Sequence, residues 1–148
     1  MNTFRFKISL RFFGSSFDPS DLSTELGIKP TRMWKAGERR TTPKGRELEG
    51  IYDESYCTFN IERHGEENLS ETLERALASF GQYKDIFHRI CIEGGRIEFF
   101  IGWFSVGNSG DTLPYKLMSK LAELEIDLAL DVYGSNETCV ETGTEEVE

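Results

Sequence analysis

The chain has 148 residues, a mass of 16.9 kDa and a formal net charge of −9. Two hydrophobic cores would each have only about 70 residues, where stability is marginal, so the length points to one domain, taken as residues 1–133. The 38% apolar content argues against wholesale disorder. No apolar run reaches the roughly 18 residues of a membrane helix, and the first residues alternate charged and apolar types where a signal peptide has a continuous apolar core; the expectation is a cytoplasmic chain with no membrane partner.

Phe4, Phe6, Ile8, Leu10 and Phe12 alternate with Arg5, Lys7, Ser9 and Arg11, the period of two that marks a strand with one buried face. Asp18-Pro19 then supplies an N-cap and a first-turn proline, Leu22 and Leu26 share one face, and Gly27-Ile28 resembles a Schellman stop, which predicts a helix of two turns. The stretch that follows is broken by Pro30, Gly37, Pro43, Gly45 and Gly50 and reads as a long loop with a short strand near Leu48. Tyr56 to Ile61 reads as a second strand with Cys57, Phe59 and Ile61 on its inner face.

Asn68 and Glu71 have the spacing of a capping box, and Leu69, Leu73, Leu77, Phe80, Phe87 and Cys91 continue at helical spacing, with Gly81 as a break and Gly94-Gly95 as the stop. Ile97 to Val106 is apolar on both faces and is expected to be the central, doubly covered strand. A third helix is expected from Asp111 or Thr112, with Pro114 in its first turn and Leu113, Leu117, Leu121 and Leu124 as its core stripe. Ile126, Leu128, Leu130 and Val132 alternate with Asp127, Ala129 and Asp131 in a fourth strand. Residues 134–148 carry five glutamates and no apolar face, which predicts an acidic disordered tail.

Two segments share an order of strand, glycine, polar turn, Asp and Pro, then a helix with Leu three and seven residues after the proline (Leu22, Leu26; Leu117, Leu121). The fold class that follows is α+β: a two-layer sandwich with a mainly antiparallel four-stranded sheet and helices on one face, ferredoxin-like or a duplicated β-α-β relative. In that arrangement the last strand pairs antiparallel with the first, and Asp127 and Asp131 face Arg5, Lys7 and Arg11.

The set Ser15 to Glu38, with its D-P-S-D-L-S-T-E-L-G-I-K-P opening and its Arg32, Trp34, Gly37 element, together with Gly94 to Phe104 and Leu121 to Tyr133, resembles the bacterial family called domain of unknown function 4279. The resemblance covers residues 4 to about 133 and departs from the family in the second strand, where Tyr56-Cys57 stands in place of a frequent tryptophan. It implies a fold-level grouping and no particular chemistry.

Few residues suggest catalysis. Cys57, Cys91 and Cys139 fit neither a disulfide framework nor a C-x-x-C site, and His88 and Cys91, three apart on a helix, read as packing rather than as a nucleophile and its base. His64, Glu66 and Glu67 lie together in a turn and read as solvated groups, so no metal and no cofactor is expected, and no enzyme activity.

The charge distribution is more informative. Residues 29–46 hold seven bases against Glu38 alone, a local charge of +6 in an acidic chain. Arg32, Trp34, Lys35, Arg39 and Arg40 are therefore the candidate binding residues, with Trp34 either a stacking platform or a plug that holds the loop on the sheet. The first functional expectation is a protein-interaction module, by analogy of the kind that neutralises a toxin, with another protein as partner. The alternative is an anionic ligand or single-stranded nucleic acid held by the loop, a reading the overall charge of −9 disfavours.

Overall fold

The structure is a computed structural model that describes residues 3–135. In chain order it contains β1 (Phe4–Gly14), α1 (Pro19–Leu26), β2 (Arg32–Trp34), β3 (Arg39–Thr41), β4 (Glu47–Ile51), β5 (Ser55–Ile61), α2 (Leu69–Phe80), a 3-10 turn (Gly81–Tyr83), α3 (Lys84–Ile92), β6 (Arg96–Val106), α4 (Tyr115–Glu123) and β7 (Ile126–Ser135). The fold is α+β. None of the described helices is long and apolar enough to cross a membrane. The expected acidic tail lies outside the described residues except for Gly134 and Ser135, which belong to β7.

Local chemistry places most element ends where the sequence puts them. Asp18 Oδ1 accepts from Ser20 N–H at 2.8 Å to start α1, and Gly27, at φ 69°, ends it with Ile28 N–H donating to Ser23 O at 3.3 Å. Asn68 and Glu71 form the reciprocal capping box of α2. The third predicted helix starts later than expected. Asp111 accepts from Thr112 N–H at 2.7 Å, but Pro114 is still extended, and its carbonyl takes the first helical bond from Met118, so the proline is the N-cap and not part of the first turn.

The main sheet has five strands in the order β2-β5-β1-β6-β7, and β3 and β4 form a separate two-stranded flap. This corrects the expectation of a four-stranded antiparallel sheet closed by its first and last strands. β7 runs parallel to β6, not antiparallel to β1, because α4 carries the chain back over the sheet and returns it in the same direction. Asp127 and Asp131 consequently lie one strand beyond β1's neighbours: Arg11 faces Glu98, and Lys7 faces Gly102. The sheet is mixed, and β1, paired with both β5 and β6, holds its middle.

The core forms on one face of this sheet. Ile8, Leu10, Phe12, Cys57, Phe59, Ile97, Phe99, Ile101 and Ile126 are buried there in one cluster with leucines and phenylalanines from all four helices. Phe12 sits at its centre, edge-on to Phe59 (5.9 Å, 90°) and to Phe87 (5.4 Å, 72°). Gly95 permits the close passage of α3's end over β1. A Cβ there would stand 2.7 Å from Phe13 O and 2.8 Å from Ile90 Cγ2.

β6 is not doubly covered. Ile97, Phe99 and Ile101 are buried, but Phe100 and Phe104 on its other face are only half-buried. Arginine side chains lie on that face: the Arg11 guanidinium is 3.7 Å from the Phe100 ring centre and that of Arg5 is 5.4 Å from Phe104. The apolar run therefore reports one packed face and one face covered by cations.

Leu121, 4% exposed, ties α4 to the sheet. Leu121→Ala is expected to cost about 2–5 kcal/mol in urea unfolding. A cost below about 0.5 kcal/mol would show that α4 is not packed as described.

Candidate functional site

The outer face of the sheet is built in rows, because paired residues on adjacent strands point the same way. One row runs Trp34, Tyr56, Phe13, Arg96 across β2, β5, β1 and β6. Tyr56 stacks on Trp34 at 4.5 Å and meets Phe13 at 5.1 Å, and the Arg96 guanidinium lies 3.8 Å above Phe13. The next row is Arg32, Thr58, Arg11, Glu98 and Asp127. Each aromatic ring in the first row has a neighbouring ring or cation.

The flap is fixed to this array by Tyr52. Its ring stacks on Trp34 at 4.2 Å and 8°, its hydroxyl donates to Thr41 O and accepts from Thr41 N–H, both at 3.0 Å, and Arg32 Nη2 donates to the same carbonyl at 2.7 Å. Trp34 Nε1 donates to Glu54 O at 3.1 Å. Trp34 is thus half-buried, with two tyrosines on its indole and its only donor engaged. It anchors the flap, as a plug does.

The five residues singled out from the sequence separate into two groups. Arg32 and Trp34 lie on the outer face of the main sheet, while Arg39 and Arg40 are exposed on β3 of the flap. Lys35 connects the two regions to α1 through an ion pair with Asp18 at 3.2 Å. The Asp18 carboxyl is held below its ordinary value first by the Ser20 N–H and then by Lys35. Arg39 Nε donates to Leu48 O at 3.0 Å and Arg40 Nη1 to Glu49 O at 3.3 Å, so both guanidinium groups are oriented by the backbone of β4.

Sequence reasoning missed Phe13, Tyr52, Tyr56, Arg96 and Arg11. A signal was present: Phe13 breaks the alternation of the first strand, placing an aromatic on the otherwise basic face, and Phe100 and Phe104 do the same on β6.

Among the described residues the thiols give no reactive pair. Burial pushes the Cys57 thiol up to about 12. Burial, then the charges of Glu125 and Asp127, raise that of Cys91. His88 Nδ1 lies 2.6 Å from Glu125 Oε2, an exposed contact between α3 and the residue before β7. Among the described residues no three of His, Cys, Asp and Glu converge as metal ligands would.

The family model for Domain of unknown function (DUF4279) matches residues 3–135. The chain belongs to the DUF4279 family. No curated protein and no solved structure matches it. In this DUF4279 chain the Arg32, Trp34 and Gly37 element proves to be the hinge of the flap: β2 joins the main sheet at Arg32 and Trp34, and Gly37, at φ 90°, turns the chain out of it, its N–H donating to Tyr52 O at 2.9 Å.

At the opposite end, Glu67 organises the turn between β5 and α2. It accepts from Arg75 Nε at 2.8 Å, His64 N–H at 2.9 Å and Thr72 Oγ1 at 3.1 Å. Arg75, with its His64 and Thr72 partners, holds the carboxyl at about 2, below the ordinary 4.5. Because the folded value is lowered, this stabilisation is complete above about pH 4.5 and is lost as pH falls toward about 2.

Two predictions follow from these contacts. The urea midpoint of Glu67→Gln should lie below the native one near pH 6, and the gap should close as pH approaches 2; a constant gap would contradict the ion pair. Trp34→Ala, which removes two stacked pairs, should cost about 1–3 kcal/mol, and Trp34→Phe should recover most of it. Equal losses in the two variants would show that ring stacking does not hold the flap.

Proposed function

We propose that this protein is a non-enzymatic protein-interaction module that docks its partner on the flap. The observation that carries this reading is a hairpin whose arginines are oriented by the backbone of β4 beside an exposed aliphatic side chain, on a chain of net charge −9. Arg39, 3.8 Å from Glu47, is paired across the hairpin with Ile51, which is 60% exposed. Oriented arginines beside exposed aliphatic groups are the composition of a protein interface, and a surface ordered in advance binds at a lower entropic cost.

The same geometry weighs against bases stacking on this surface. Single-stranded nucleic acid needs open ring faces, and Trp34 already carries Tyr52 and Tyr56. A partner with an acidic patch, by contrast, pairs with Arg39 and Arg40 without displacing any ring.

The test is the double variant Arg39→Glu, Arg40→Glu, used as bait beside the native chain in source-cell extract with and without nuclease. Circular dichroism and melting should match the native protein, since exposed charges contribute about 0–1 kcal/mol each. Proteins captured by the native chain after nuclease treatment should be lost by the variant. Capture that survives the charge reversal would overturn the flap as docking surface, and capture abolished by nuclease would favour nucleic acid as the ligand.

A further inference from the structure

Beyond the flap, the outer face contains a hollow of about 570 Å³ lined by β1, β5, β6 and β7. Its volume lies within the range of small-molecule sites, about 300–1,000 Å³. Its origin is a pattern of side-chain size. Phe100 and Phe104 stand on the same face of β6, four residues and so about 13 Å apart, and the row between them contains Gly102. Lys7 and Asp131 flank Gly102 in that row and the small Ser9 lies beside Phe100, so the hollow opens between two aromatic walls. Gly102 is buried beneath Phe104, which stacks on Tyr133 at 5.0 Å and 7° and can lie down on the sheet because no side chain stands there: a Cβ at Gly102 would be 3.2 Å from its ring.

The polar groups of the hollow are mainly cations and neutral donors. Lys7, Arg11 and Arg63 line it with the carboxylate of Glu62, while Asp131, beside Gly102 on β7, is engaged by the Tyr133 hydroxyl, which donates to it at 2.6 Å; Ser9 and Asn60 add a hydroxyl and an amide. Arg63 is already committed, with Nε donating to Glu67 O at 2.6 Å. Lys7 is exposed and forms no ion pair among the described residues. Arg11 is incompletely satisfied: Nε is buried without an acceptor, and Nη1 is 3.9 Å from Glu98. A buried donor left unmet favours any arrangement that supplies an acceptor.

We propose that this hollow binds a small planar anion, a flat ring carrying a carboxylate or a phosphate, with the ring between Phe100 and Phe104 and the anionic group between Lys7 and Arg11. The site is distinct from the flap and needs neither Arg39 nor Arg40. Charge-assisted bonds from an ammonium and a guanidinium select the anion, while the space between the two aromatic walls selects flatness. The carboxylate and phosphate sources share this chemistry and are separated by the choice of probe.

The experiment is a titration of the full chain, followed by calorimetry and by the amide resonances of Ser9 and Gly102, with four probes: adenosine monophosphate, 2-naphthoate, inorganic phosphate and adenosine. One or both of the ring-bearing anions should bind at least about tenfold more tightly than phosphate or adenosine and should shift both amides. Which of the two binds decides between phosphate and carboxylate. Lys7→Gln, at an exposed position, should weaken that binding by about tenfold, and Gly102→Val should abolish it. The Arg39→Glu, Arg40→Glu variant should bind the probe as the native chain does, so loss of the docking reading leaves this site standing. The proposal is overturned if neither ring-bearing anion outbinds the two half-molecules, or if Lys7→Gln binds the preferred probe unchanged, a result that counts even should Gly102→Val fail to fold.

Discussion

If β1 slipped by one residue against β6, Leu10 and Phe12 would leave the core and Arg11 would enter it, which is why the pairing of these two strands governs the molecule. The ladder runs without interruption from Phe4↔Ser105 to Phe13↔Arg96 and is matched on the other side by β5 from Ile8 to Gly14. Because side chains alternate, this one register decides both what is buried and what is displayed. The core face receives Ile8, Leu10 and Phe12, and the outer face receives Arg5, Lys7, Arg11 and Phe13. The helices then have one place to pack, and Phe87, Leu73 and Leu117, all fully buried, fill it.

The outer face follows from the same register with a different solution to apolar exposure. Phe13, Phe100 and Phe104 would be costly as bare surface, yet no second helical layer covers them among the described residues. Arginines from adjacent strands lie on the rings: Arg96 on Phe13, Arg11 on Phe100 and Arg5 near Phe104. Such contacts shield aromatic area while keeping charge at the surface. They also leave an acidic protein with a cationic, partly apolar face, and the flap continues it through the Tyr52 and Trp34 stack. The docking flap and the hollow at Gly102 are two ends of one surface.

How much of this was readable from residue order depends on the range of the interaction. Short-range chemistry was legible: the Asp18 cap, the Gly27 stop, the Asn68 and Glu71 box and the alternation of β1 and β7 each lie within a few residues. Strand neighbours were not, since a period of two tells which face a residue takes and nothing about which strand lies beside it. Hence Asp127 and Asp131 seemed natural partners for Arg11 and Lys7, although β6 intervenes. The flap was hidden for a related reason. β2, β3 and β4 are too short to show a period, and their order rests on Tyr52 and Arg32 meeting at Thr41. The basic character of residues 29–46 was plain, but most of its charge is engaged by β4 carbonyls, Glu47, Thr41 and Asp18, which no composition reveals.

The outer sheet face depends on rings covered by arginine side chains and by neighbouring aromatic rings, with none of the described helices over them. Side-chain NMR measures this directly. The Arg11 and Arg96 methylene and Nε resonances should be shifted upfield by the rings of Phe100 and Phe13, with Overhauser contacts from Phe100 and Phe104 confined to residues of the sheet. Arginine resonances at their free values, or contacts from Phe100 or Phe104 to α1, α2, α3 or α4, would contradict it.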